Sequence, residues 1–360
     1  MHRTVKSWRG LMLLSLLWAC TKASVEDGST DTEDADGGPT ADDSGGDDSP
    51  ADEGGSDTAS GDDSGDPDTP EEHYSGDPAC HDAFETMEGI QPHEYDIVEW
   101  RSEDGTTWVE HRMFQTCADV PSIASNDEGT LFMAFQNFQD RDDDSLFDKI
   151  ALRRSDDGGD TWGEVTGANL IDFPSEAGRP FDPTIVWDAA GSVWRLYFSM
   201  NSAGGTELDE NVCTHSAQSE NGVDFTYESG TRYCAVEGHV IDPAVVWMDG
   251  TWYYSAPRGA PQEGAHFATS ADGRVFERTD PIPSDENHAW TGNMVVVDES
   301  LRFYAREVLL PDGNLIWWSS FTEGTGWSDY VQTNIPAGKD PGIIRLADGT
   351  FMILVPTLSE

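Results

Sequence analysis

Lysine is almost absent from this chain: Lys6, Lys22, Lys149 and Lys339 are the only four in 360 residues. Basic residues number 20 in all, against 69 acidic ones, for a formal net charge of −49. So acidic a chain is a poor partner for nucleic acid or for an anionic surface, whose phosphates it would repel. Cysteine is scarce too, with five copies, and no Cys-x-x-Cys pair occurs, which argues against a zinc site. The nucleophile elbow, the phosphate-binding loop and the dinucleotide fingerprint are likewise missing. What remains is rich in aromatic strands, Asp-Gly turns and regularly spaced acids.

Only one stretch near the start is apolar enough to suggest a targeting signal. Arg3, Lys6 and Arg9 precede the run Leu11 to Trp18, which ends at Ala19-Cys20. A basic start followed by a short apolar run reads as a secretory signal, too short to span a membrane as a mature helix. Leu17-Trp18-Ala19-Cys20 resembles a bacterial lipobox. The resemblance implies cleavage before Cys20 and acylation of that residue. The protein is then expected to be exported and lipid-anchored to the bacterial membrane, at the outer membrane or cell surface, touching the bilayer only through the anchor. From Ser24 to about Gly76 the chain is nearly all Asp, Glu, Gly, Ser, Thr, Ala and Pro. Such a segment cannot build a core and should be an extended tether. The expected division is a signal at 1–20, a disordered acidic linker at 21–77 and a folded domain at 78–360. With Cys20 assigned to lipid, Cys80, Cys117, Cys213 and Cys234 suit two disulfides in an oxidising compartment. Three pairings are open. Cys213 and Cys234 flank one predicted hairpin, and a Cys80–Cys117 bridge would pin the tether to the domain.

Five copies of a small motif set the architecture. They are Ser102–Trp108 (SEDGTTW), Ser155–Trp162 (SDDGGDTW), Ser219–Phe225 (SENGVDF), Ser270–Phe276 (SADGRVF) and the degenerate Ser320–Trp327 (SFTEGTGW). Successive serines lie 53, 64, 51 and 50 residues apart. Each copy reads as a hairpin tip, with Asp or Asn bonding nearby backbone, Gly at positive φ and an aromatic opening the next strand. The motifs resemble the Asp-boxes of sialidase-like and five-bladed glycosidase propellers, in which the box is structural. A second repeat lies between them, as Asp119-Val-Pro, Asp182-Pro, Asp242-Pro, Gly292-Asn293 and Asp340-Pro, each leading into an apolar run, a turn and an aromatic strand. A period near 50 residues built of short strands predicts an all-β, five-bladed β-propeller. Four blades run complete, whereas the last has only its first two strands. The outer pair it needs is found at Glu94–Phe114, so the N-terminal hairpin is predicted to close the C-terminal blade.

In a propeller the first strand of every blade lines the central channel. Asp119, Asp182, Asp242 and Asp340 hold the equivalent position in four blades, and Asn293 holds it in the other. Like carboxylates converging on one funnel raise each other's pKa, an arrangement often found at functional sites. This constellation, over residues 92–360, resembles the five-bladed glycosidase superfamily of arabinanases, xylosidases, levansucrases and invertases. The resemblance implies a base or nucleophile at Asp119 and a pKa-tuning, positioning acid at Asp182 within Arg179-Pro-Phe-Asp-Pro. It also implies a general acid on the third blade. That family carries Glu there, and this chain has Asp242, with Glu237 and Glu307 as residues that could reach in. Gln136, Asn137, Asn201, Arg258, Arg306, Asn293 and Asp340 are expected to contact sugar, with Trp290 as a stacking face. Some relatives hold calcium in the channel near a histidine, which points to His239 and His288. No cofactor is otherwise required. His215 and His266, on third strands, are expected to be structural. The Arg triad of six-bladed sialidases has no counterpart, and an acidic funnel would repel sialic acid. The expected activity is hydrolysis of a neutral glycan by a monomer. The other open reading is a non-catalytic propeller that binds glycan, cation or protein at the same funnel.

Overall fold

In a computed structural model the described residues are 95–139, 145–205, 208–308, 314–336 and 338–358. Among them the regular secondary structure is all strand apart from one short 3₁₀ turn at Pro261–Glu263. The expectations for the signal, the acidic linker, Cys20 and Cys80 lie outside the described residues.

The strands form five antiparallel sheets, one per blade. The first blade is Ala118–Ser125, Leu131–Asn137, Lys149–Ser155 and Thr166–Gly167. The second runs Phe181–Asp188, Val193–Asn201, Val212–Ser219 and Asp224–Tyr233, and Asn169–Ile171 adds a parallel edge strand. The third is Ala244–Met248, Thr251–Pro257, Ala265–Ser270 and Glu277–Arg278. The fourth is His288–Val297, Ser300–Glu307 and Leu315–Thr322, with an outer strand split into Gly326–Trp327 and Val331–Pro336. The fifth combines both ends of the chain, in the order Gly342–Arg345, Phe351–Leu358, Tyr95–Ser102 and Val109–Gln115. Tyr95–Ser102 pairs with Phe351–Leu358 along its whole length, from Tyr95 opposite Leu358 to Ser102 opposite Phe351. The N-terminal hairpin therefore closes the ring, as the missing outer pair predicts, and leaves no open sheet edge at the seam.

The core repeats with the blades. One apolar cluster fills each of the five gaps between neighbours. Phe132 and Ile150 meet Leu196 and Phe198 between the first and second blades. Tyr197 meets Trp252 and Tyr254 between the second and third, and Phe267 meets Trp290 and Phe303 between the third and fourth. Tyr304 meets Trp108 and Ile353 between the fourth and fifth, and Met352 and Leu354 meet Leu131 and Met133 between the fifth and first. Each second strand is apolar at consecutive positions because both of its faces are covered. Leu131, Met133 and Phe135 face one neighbour while Phe132 and Ala134 face the other, following the two-residue period of a strand.

The serine motifs stitch the gaps together. In four of them a glycine amide (Gly105, Gly159, Gly222, Gly273) donates to the serine Oγ at 2.9–3.0 Å. A later amide donates to the Asp or Asn side chain. The tip then packs on the preceding blade. Tyr304 Oη donates to Gly105 O and Tyr197 Oη to Gly273 O, each at 2.8 Å. At Gly222, which sits at φ 76°, an added Cβ would lie 2.5 Å from the Phe132 ring. The degenerate fifth motif bonds differently, with the Ser320 amide donating to Ser328 Oγ. Cys213 and Cys234 are bridged across the predicted hairpin. Cys117 is also disulfide-bonded.

Candidate active site

The inner strands enter the channel through irregular backbone. Pairing slips between Asp119 and Ser122, between Phe181 and Thr184, and between His288 and Gly292. Val120, Asp182 and Asp242 each sit at φ 50°. This region is costly for non-glycine residues, and most costly for a β-branched one. The strain is held by bonds around the axis. The Ile185 amide donates to Ser122 Oγ at 3.1 Å, and Thr184 Oγ1 donates to the Pro243 carbonyl. Asn293 Nδ2 donates to the carbonyls of Pro121 at 3.3 Å and Pro341 at 3.4 Å. Asn293 thus ties the fourth blade to the first and fifth. At Gly342, a Cβ would lie 2.5 Å from the Pro121 carbonyl, which keeps that approach to glycine.

These entries bring Asp119, Asp182, Asp242 and Asp340 together. All six pairs among the four carboxylates interact electrostatically. Burial, then Asp340 and Asp119, push Asp182 up to about 7, against the Asp242 amide and Arg179. The Asp242 amide donates to Asp182 Oδ2 at 3.3 Å. Burial raises Asp242 well above the usual carboxylate range, and Asp182, Asp340 and Asp119 add to it. Burial also raises Asp340, although Arg306 and Lys339 oppose the shift.

Asp119 differs from the other three. Its side chain is 3% exposed, Lys339 Nζ lies 2.8 Å from Oδ2, and the Val120 amide donates to Oδ1 at 2.9 Å. Burial works against the Lys339 ammonium, but the carboxylates of Asp119 and Asp340 outweigh it and raise its pKa. Lys339 also lies over the Tyr95 ring, 4.4 Å from its centroid. Sequence reasoning overlooked Lys339. Its signal was its place directly before Asp340-Pro341, in a chain that all but excludes lysine elsewhere. Also overlooked was the pair Arg179–Asp148, joined at 2.7 Å. Gln136 Nε2 donates to the same Asp148 oxygen at 3.3 Å.

Other expected contact residues have local partners. Asn137 pins a loop by donating to the Leu146 carbonyl at 3.2 Å, and Asn201 accepts from the Ala203 amide at 3.0 Å. Arg306 acts on Asp340 and so belongs to the ring. Glu307, Trp290 and His288 lie instead along a separate cleft of about 820 Å³ on the fourth blade. There the Glu307 carboxylate accepts from the Leu315 amide at 3.1 Å and from Gln332 Nε2. Trp290, expected to offer a stacking face, is 2% exposed and packs among Phe303, Trp317 and Trp327. The backbone slip beside it turns the ring into the core. His288 bonds Asp285 at 2.8 Å and stacks on Tyr330, whereas His239 lines a third cleft with Arg258. The two histidines expected near calcium therefore lie in different places. Among the described residues no group of three or more His, Cys, Asp or Glu is placed to hold a metal ion. His215 stacks between Phe198 and Tyr227, where burial and then Arg232 lower it to about 4.

No known protein-family profile matches the chain. No curated protein matches it either. Solved structures similar to it include a Hadza microbial sialidase, at 16% identity and TM-score 0.45, covering 63% of this chain and 49% of the sialidase. A thermostable family-43 glycoside hydrolase is 14% identical at TM-score 0.47, with 67% of this chain and 88% of that one covered. An α-L-arabinofuranosidase from Lactobacillus brevis is 13% identical at TM-score 0.47, with coverage of 67% and 85%. The chain spans about half the length of the sialidase, and at these values it is assigned to none of their families.

Proposed function

We propose that this protein is a surface-anchored glycoside hydrolase acting on a neutral glycan at the channel mouth. One observation carries the reading: the four interacting carboxylates divide into an ion-paired Asp119 and three acids, Asp182, Asp242 and Asp340, whose pKa values burial raises, that of Asp182 to about 7. Titratable groups whose environments push them apart are the usual means of placing an acid and a base in one site. Asp242 donates its proton to the glycosidic oxygen as the bond to the anomeric carbon breaks. Asp119 is the opposing carboxylate that drives attack at that carbon, and water completes the hydrolysis. Asp182 positions Asp242 through the amide contact and raises its proton affinity. An acidic funnel disfavours anionic sugars.

The test is turnover by the full mature chain on a panel of aryl furanosides, aryl pyranosides and polysaccharides. Asp119→Asn is expected to lower the rate by about 10³-fold or more, the scale of acid–base and nucleophilic catalysis, with glycan binding retained. A second reading, glycan binding without turnover, is favoured by both Asp119 oxygens being engaged and by Asp standing where the resembling family has Glu. Binding with no hydrolysis of any substrate would establish that reading instead. The lipid anchor has its own check. Radioactive palmitate should label the wild type but not Cys20→Ser, and an unlabelled wild type would remove the anchor from the proposal.

A further inference from the structure

In so acidic a chain, two guanidinium groups in one cavity without carboxylate partners require an explanation. Arg258 and Arg278 line a cleft of about 480 Å³ at the third blade, together with His239, His266 and Tyr233. Among the described residues, neither arginine has a carboxylate within ion-pair distance. Arg101, Arg112, Arg154, Arg179, Arg195, Arg274 and Arg345 do, whereas Arg232 and Arg302 bond backbone carbonyls as this pair does but do not share a cavity with a second such arginine. The Arg258 and Arg278 side chains donate to backbone carbonyls instead, of Glu263 at 3.3 Å and of Cys234. These contacts anchor them without neutralising them. Arg278 lies 5.2 Å from the Tyr233 ring centroid, and the His266 ring is 5.4 Å from the same ring. The lining also holds two acids, Glu237 and Glu263, which are exposed to solvent, as is Arg278, while Arg258 is half-buried.

We infer that this cleft is a binding site for an oxyanion, a sulfate ester or a carboxylate carried on a saccharide, separate from the aspartate ring. Guanidinium groups recognise such anions by paired, charge-assisted hydrogen bonds, and neutral imidazoles add N–H donors. The cavity volume suits a sugar-sized ligand. The local field agrees. Burial, then Arg258 and Arg278, lower His266 to about 4, so it is uncharged at neutral pH. Arg278 and Arg258 also act together on Tyr233. The site does not depend on the hydrolase reading, because it requires only that the ligand carry negative charge.

The test is calorimetric binding of three oligosaccharides of equal length to the full mature chain: sulfated, uronate-bearing and neutral. One charged form is expected to bind at least about tenfold tighter than the neutral one, as a single good charge-assisted contact supplies. Which form wins tells sulfate from carboxylate. Inorganic sulfate or acetate should displace the matching ligand at constant ionic strength, a check that needs no variant. Arg258→Gln/Arg278→Gln should erase the preference for charge. NMR titration of His266 provides a second reading: its pKa should rise in that variant and rise on adding the charged ligand to the wild type. Equal affinity for charged and neutral ligands would overturn the proposal, as would an undiminished preference in the folded double variant.

Discussion

Lys339→Met is expected to destabilise the propeller by about 3–5 kcal/mol at neutral pH, the usual cost of removing one partner from a buried ion pair. Lys339 is 22% exposed in its side chain and Asp119 only 3%. Without the ammonium, Asp119 keeps one amide donor and faces three other carboxylates. The lysine pKa is raised in the fold, so its contribution is fully present below the unfolded lysine value and is lost only as pH climbs through the folded one. The whole effect is therefore visible at pH 7. It should shrink as the pH falls, because protonated carboxyls need no counter-charge. Asp119→Asn should cost less, since it leaves Lys339 beside Asp340 and removes one like charge from the ring. Urea denaturation of both single variants and the double variant provides the check. The double variant should be more stable than Lys339→Met alone, giving a coupling of about 1–3 kcal/mol between the two sites. Additive losses would mean that Lys339 stabilises by packing on Tyr95 and not by charge.

The count of five blades and their closure were legible because they rest on periodicity. The serine motifs mark outer hairpins, the Asp-Pro entries mark inner strands, and the last blade visibly lacks what the first strands supply. The aspartate ring was legible for the same reason, as residues at one repeat position share one end of the channel. Side-chain partners that meet through ring closure were not legible. Asp119 and Lys339 are 220 residues apart, and although Lys339 stands directly before a ring aspartate, nothing in the sequence pairs it with Asp119. Phase errors were also hidden. Trp290 and Glu307 both stand where strand ends should face the mouth. The pairing slip between His288 and Gly292 re-aims the first, and the Leu315 amide with Gln332 captures the second. A bulge changes which face a residue occupies without changing its sequence pattern. Arg258 carried a signal that was read too broadly. It reaches a cleft with His239, away from the funnel.

Asp182→Asn is expected to raise stability at pH 8 by a few kcal/mol, to leave it nearly unchanged at pH 4, and to depress turnover at both. The folded pKa of Asp182 is raised to about 7, chiefly by burial and then by Asp340. For an acid, a raised folded pKa means that the native state holds the proton while the unfolded chain releases it. Stability then falls as pH climbs from about 4 toward 7 and levels off above that, at about 1.4 kcal/mol for each unit of pKa difference. Asparagine removes the ionisation and little else. Its amide oxygen can still accept the Asp242 amide, and it tolerates the φ of 50° that alanine would not. The variant should therefore lose the share of the downward slope between pH 4 and 7 that Asp182 contributes, leaving a shallower one from Asp242 and Asp340. Asp242→Asn should behave alike, since burial and the same neighbours raise that carboxyl too. Denaturation midpoints measured across this range decide the matter. A variant less stable than wild type at pH 8, or a gain of equal size at pH 4, would show that these carboxyls are not held against their own charge. A ring of acids kept at a cost to folding, and relieved by a single asparagine, is what a site retained for chemistry and not for stability should display.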